Sequence, residues 1–218
     1  IMQTRTDLIV RSPELVEKWT RCGRLTVFLG LEKVDDEGLK SVNKRNTAAT
    51  NEKAIDILRD LKVGYTPNFI VDPAWDRKHF RQLRDWVTRT GSYNAGFSIL
   101  TPLPGTDLWD EVHESVDASN WELFDLEHTV LPTALPMEEF YAEYAGLWQC
   151  ALDVRHRAQG GLGGLLKLAC GIATGKIRPG HLRHAVEVGK ALSHPESFLR
   201  AHRGQQAGGC EKQPAHPR

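Results

Sequence analysis

Apolar positions in the first hundred residues alternate between short continuous runs and helical stripes, and that order predicts a parallel sheet with crossover helices. Ile1-Met2-Gln3-Thr4 reads as the end of a strand already under way, because apolar residues lead with no cap or turn before them. The expected reading is a start inside a domain. Ser12 and Pro13 supply an N-cap and a first helical residue, and Leu15, Val16 and Trp19 follow at helical spacing until Gly23. Leu25 to Glu32 is a continuous apolar run with β-branched and aromatic residues, a buried strand that ends in a carboxylate. The pattern then repeats. Asn51 caps a helix carrying Ala54, Ile55, Leu58 and Leu61, Gly64 ends it, and Tyr65 to Val71 is a strand closed by Asp72-Pro73. A third helix runs from about Asp76 to Thr90 with Phe80, Leu83, Trp86 and Val87 inward, Gly91 stops it, and Ala95 to Leu100 leads into Thr101-Pro102-Leu103-Pro104-Gly105.

The reading is therefore four parallel strands beginning at Ile1, Leu25, Tyr65 and Ala95, an α/β fold of repeated βα units. In such folds chemistry gathers at the C-terminal strand ends. Here those ends are Thr4-Arg5-Thr6-Asp7, Gly30-Leu31-Glu32, Val71-Asp72-Pro73 and Thr101-Pro102. From Pro136 onward the pattern is helical only. Phe140, Tyr141, Tyr144, Leu147, Trp148 and Ala151 form one stripe, Leu165 to Ala173 is a second apolar segment, and Pro179 opens a helix with Leu182, Ala185, Val186, Gly189 and Leu192 on one face. Residues from about Gly204 onward, rich in Gly, Gln, Pro and Lys, read as a disordered tail. The expected division is 1–118, 119–203 and 204–218.

Composition adds one asymmetry. The chain is formally neutral, yet from Arg155 onward there are eleven Lys and Arg against three Asp and Glu, so the tail is basic and the body acidic. Blocks of that kind suit an anionic surface, phospholipid or nucleic acid. The four cysteines, Cys22, Cys150, Cys170 and Cys210, have neither metal-ligand spacing nor a disulfide framework and read as a reduced, cytosolic set. No apolar run approaches the ~20 residues that span a bilayer, and no signal peptide opens the chain.

Thr4 to Asp7, Pro13-Glu14-Leu15 and Val27-Phe28-Leu29-Gly30-Leu31-Glu32 resemble, in that order, the third and fourth strands of radical S-adenosylmethionine (SAM) barrels. Asn68 to Pro73 is similar to their fifth-strand segment and Thr101 to Thr106 to their sixth-strand end. The resemblance covers residues 1 to about 115. Trp121 to Asp125, His128 to Pro132 and the basic helical C-terminus extend it to about residue 203 and make it most similar to the cobalamin-dependent class, its hopanoid C-3 methylases in particular. The resemblance implies part of a (β/α) barrel with a helical extension. It also implies a reaction in which a [4Fe-4S] cluster cleaves SAM reductively, the adenosyl radical takes a hydrogen from an unactivated carbon, and methylcobalamin delivers the methyl group. One departure stands against it. The chain contains no C-x-x-x-C-x-x-C motif, so it reads as the C-terminal part of such an enzyme, inactive alone, with the cluster and cobalamin sites elsewhere. A tetrapyrrole-cyclase-like enzyme and a non-catalytic remnant are the alternatives.

Glu32 matches the fourth-strand residue that bonds the SAM ribose in the family; its structural alternative is a salt-bridged strand end. Arg5 suits the SAM carboxylate or an ion pair with Asp7 or Asp36. Asp72 and Thr101, each beside a proline, shape the adenine end, or simply form turns. Trp75 and Trp109 line an apolar substrate pocket or belong to the core. His181 and His184 have metal-ligand spacing with no third partner and read as a solvated helical face. The Gly160-Gly161-x-Gly163-Gly164 run has no preceding strand and no following Lys-Ser/Thr, so it reads as a linker. Leu162 to Thr174 and Pro179 to Leu192, with Lys167, Lys176, Arg178, Arg183 and Lys190, either lie on a membrane surface or pack on the barrel. The implied partners are a lipid-like small molecule and peripheral membrane contact, without nucleic acid.

Overall fold

Strands β1 (Met2–Thr4), β2 (Thr26–Glu32), β3 (Gly64–Val71) and β4 (Gly96–Ile99) hydrogen-bond side by side in chain order, every pair parallel. The computed structural model describes residues 1–34, 47–116, 121–160, 170, 172–175 and 178–208. The four strands begin within a residue of where the apolar runs place them. Helices α1 (Thr6–Arg11) and α2 (Pro13–Thr20) lie between β1 and β2, α3 (Ala48–Asp60) precedes β3, and α4 (Arg77–Thr90) precedes β4. After β4 come α5 (Asp107–Val112), the long α6 (Met137–Gln159), α7 (Pro179–Leu192) and α8 (Pro195–Gly208). This is an α/β fold with a helical C-terminal part.

Alternation along the strands divides the sheet into two unlike faces. Val27, Leu29, Leu31, Phe69, Val71, Phe97 and Ile99 are buried on the side where the helices pack. Phe69 meets Trp86 of α4 edge-on at 5.1 Å between ring centres, and Phe97 meets Trp148 of α6 at 5.1 Å. The intervening residues, Phe28, Gly30, Asn68, Ile70, Gly96 and Ser98, form a second face that stays half-exposed. Phe140, Tyr141, Tyr144 and Leu147 of α6 are fully buried and extend the core away from that open face. Arg77–Glu139 and Arg84–Glu143 ion pairs at 2.5 and 2.6 Å fasten α4 to α6.

Three local expectations need correction. Thr47, not Asn51, caps α3 by accepting the Thr50 N–H at 3.1 Å. Asn51 is buried one turn inside, where its Oδ1 accepts the Thr6 hydroxyl at 2.7 Å; a polar residue compatible with a cap serves instead as an interhelical tie. Lys62 (φ +54°), not Gly64, takes the left-handed position after α3, and Gly64 opens β3. Thr6 and Asp7 do not continue a strand tip but begin α1, whose first turn Asp7 suits by its charge. Gly91, by contrast, ends α4 as expected with φ +61°, and Ser92 donates back to the Val87 carbonyl.

Candidate functional site

The four strand ends share one edge of the sheet, and the most distorted backbone of that edge is at the end of β2. Pairing with β3 slips between Gly30 and Glu32, so that Gly30 lies opposite Asn68 and Glu32 opposite Phe69, with Leu31 as the extra residue. Glu32 then adopts φ +66°, and the Lys33 N–H donates to the Leu31 carbonyl at 2.8 Å. A bulge followed by a positive-φ three-residue turn stops the strand and re-aims the two side chains that follow. A carboxylate-bearing residue in that region costs on the order of 1 kcal/mol or more, a strain that clusters at functional positions.

Lys33 is a residue that sequence reasoning missed. Its side chain is only 7% exposed, with Nζ 3.8 Å from Asp72 Oδ2 and 4.8 Å from the centre of the Trp75 ring. A lysine just past a strand end reads as solvated; the signal for burial was the Asp-Pro-x-Trp at the same level of the next strand. Asp72 ends β3 by accepting the Ala74 N–H on Oδ1 and the Trp75 N–H on its carbonyl, both at 2.9 Å. Trp75 is buried, stacks on His79 at 5.8 Å and meets Phe80 edge-on at 5.5 Å. Asp76 caps α4 through Lys78 and His79, and the bonds from His79 hold its carboxyl below the usual range.

The other expected residues are placed less directly. Arg5 follows β1, whose last residue Thr4 is level with Leu29, so it stands lower on the edge than Glu32. Its guanidinium grips Asp7 at 2.9 and 3.1 Å, and that contact holds the Asp7 carboxyl below the usual range. Asp36 lies outside the described residues. Thr101 is buried beyond β4 with its hydroxyl donating to the Ile99 carbonyl at 3.0 Å. Glu32, Asp72 and Thr101 thus crown three adjacent strands, while Arg5 stands below them at the end of β1. Trp75 belongs to the core. Trp109 is on α5 and stacks with Trp121 (6.1 Å) and His113 (6.2 Å) and lies tilted against Phe124 (6.3 Å) in a separate cluster. His184 is exposed, and the His181 side chain, the glycine run from 161, Lys167, Lys176 and Cys210 fall outside the described residues.

On the half-exposed face, Asn68 lies directly over Gly96, where a Cβ would collide with its Oδ1. The Asn68 Nδ2 is buried without a hydrogen-bond partner. Gly30 and Gly96 pair with Asn68 on either side, so its side chain is flanked by backbone alone. Among the described residues no group of three His, Cys, Asp or Glu could hold a metal ion, and Cys22, Cys150 and Cys170 are free thiols. The described residues therefore do not offer the ligand set of an iron–sulfur cluster. Among the described residues no helix is long and apolar enough to cross a membrane.

Over 142 residues the chain is 37% identical to the hopanoid C-3 methylase of Methylococcus capsulatus, a match covering 65% of this chain and 27% of that protein. It is 29% identical over 127 residues to the bacteriochlorophyllide d C-8(2)-methyltransferase of Chlorobaculum tepidum, covering 56% and 28%. It is 26% identical over 144 residues to the anaerobic magnesium-protoporphyrin IX monomethyl ester cyclase of Rubrivivax gelatinosus, covering 63% and 25%. No protein-family model matches. The chain spans about a quarter of the length of the curated relatives it matches.

Proposed function

From the premise that this chain is a relative of the cobalamin-dependent radical SAM methyltransferases and cyclases, we propose that it forms one wall of a SAM site in a methyltransferase of a hopanoid-like lipid. The observation that carries the reading is the positive-φ turn at Glu32, which sets a carboxylate on the crown of parallel strands beside a half-exposed sheet face. On this reading Glu32 accepts the ribose hydroxyls, Ile70 and Phe28 offer apolar surface to the adenine, and Asn68 donates to a ring nitrogen. Asp72 and Thr101 hold the turns that border the adenine end. Arg5, already gripping Asp7, offers the remaining edge of its fork to the ligand carboxylate. SAM, when bound, supplies the reactive sulfonium; the residues here bind and orient it and keep water out.

On this reading the described residues bind and orient the nucleoside and supply no ligands to a cluster. Calorimetric titration of the whole chain with SAM tests the reading. Binding that falls at least about tenfold in Glu32→Gln supports it, and equal binding by the variant, or none by the unaltered chain, ends it.

The helical end faces the lipid in this proposal. Helix α7 leaves Val186 and Val188 exposed at 50% and 42%, next to Arg183 and Lys190, a composition suited to an anionic membrane surface. Gly189 of the same helix meets Leu152 of α6. Vesicle flotation with and without anionic lipid tests this: retention only on anionic vesicles is expected, and no retention on either removes the docking step. The second reading, a flat tetrapyrrole substrate, draws on the names of two of the three relatives above. Competition between a hopanoid and a magnesium porphyrin for the SAM-loaded chain separates the two.

A further inference from the structure

We infer that Lys33 is a positioning residue whose ammonium ties the strained end of β2 to the end of β3 and thereby sets the aim of Glu32. This inference rests on the nucleoside-binding reading for its functional consequence and on geometry alone for the tie. Between Gly30 and Glu32 the ladder slips, so the last stretch of β2 cannot take its orientation from regular pairing with β3. The positive φ at Glu32 is unfavourable for a residue with a Cβ, and something beyond the turn must hold it there. Lys33 is the next residue. Its backbone N–H closes the turn on Leu31, and its side chain is 7% exposed, reaching the β3 end at Asp72 (3.8 Å) and the Trp75 face (4.8 Å).

An ammonium removed from water to that extent is tolerated where opposite charge and aromatic faces compensate it, and the Asp72–Trp75 turn offers one of each. That turn is rigid: Asp72 holds Ala74 and Trp75, Trp75 is wedged between His79 and Phe80, and the Pro73 carbonyl accepts the Ala134 N–H at 2.9 Å. The tie therefore runs from a fixed anchor on β3 to a strained turn on β2. Lys33 does not reach the open face itself; it acts through Glu32. A lysine deletion at this point releases the turn to ordinary extended geometry and swings the carboxylate away from the crown.

Hydrogen exchange of the whole chain, read by mass spectrometry in segments 26–34, 70–76 and 80–87, tests the tie in parallel with SAM titration. In Lys33→Met both strand-end segments are expected to exchange about tenfold faster, with α4 unchanged and SAM affinity reduced about tenfold. Lys33→Arg, which keeps a cation over the ring, is expected to restore both readouts to within about threefold. Asp72→Asn, which leaves the lysine in place, is expected to loosen segment 26–34 although it lies on the other strand, and it decides the matter should the methionine variant fail to fold. Unchanged exchange at 26–34 in both Lys33→Met and Asp72→Asn, or equal loosening of all segments including α4, would overturn the inference. A chain that binds no SAM but shows the coupled loosening contradicts the nucleoside reading and leaves the tie standing.

Discussion

At the level of single residues, Glu32 gives the sharpest expectation because its backbone and side chain make separable contributions. Glu32→Ala and Glu32→Gly both remove the carboxylate, but only glycine is at ease at φ +66°. The glycine variant should therefore unfold at higher urea than the alanine variant, by about 1 kcal/mol, while both lose SAM binding. Equal stability of the two would mean the turn relaxes to negative φ without cost. Thr6→Val tests a second site. It deletes the buried bond from Thr6 to Asn51 that joins α1 to α3, and a loss of about 1–2 kcal/mol in the same assay is expected. These two residues also show what the sequence could and could not convey. The end of β2 at Glu32 was legible from the apolar run that it closes, whereas the bulge and the φ of +66° there were not. Asn51 was misread, because Asn fits an N-cap and a buried interhelical bond equally well, and only the tertiary partner decides. Lys33 was missed, because the signal for its burial is a tryptophan 42 positions away.

Among the elements, β4 and α6 carry the most informative contacts. The outer edge of β4 is closed by side chain and loop: Ile99 N–H donates to the Leu126 carbonyl at 2.6 Å, and Tyr144 O–H donates to the Phe97 carbonyl at 2.9 Å. The edge of β4 is thus laced to α6 and to the segment before it. Tyr141 performs a related task. Its oxygen accepts the Thr129 N–H at 3.0 Å and lies 2.6 Å from His202 Nε2, which fastens α8 to α6. Burial pushes both phenols well above their ordinary range. The folded state therefore holds these protons more tightly than the unfolded chain. Their contribution to stability is complete below the unfolded value near 10 and is lost as pH rises above it. Urea midpoints should fall between about pH 8 and about pH 11, and the fall should be smaller in Tyr144→Phe; an identical fall would assign the alkaline loss to other groups. Strand positions and the inward faces of α4 and α6 were legible from periodicity. The lacing of β4 was not, since it depends on a hydroxyl 47 residues away and a carbonyl in an irregular segment.

Over the whole molecule, charge and shape point the same way. Residues 91–154 contain no Lys or Arg, whereas the chain beyond them is strongly basic, so the acidic stretch is confined to β4, α6 and the residues between them. One face of the sheet is packed under helices and the other stays half-exposed, with its polar strand ends along one edge. That asymmetry is what a wall of a binding site requires, and it follows from parallel strands whose crossovers all fall on one side. The most direct test is nuclear magnetic resonance of the isotope-labelled chain during titration with S-adenosylhomocysteine. Shifts concentrated at residues 28–33, 68–75 and 96–101, with Glu32 among the largest, are the expected result. Shifts confined to the C-terminal helices or to the opposite ends of the strands, with Glu32 unmoved, would contradict the account.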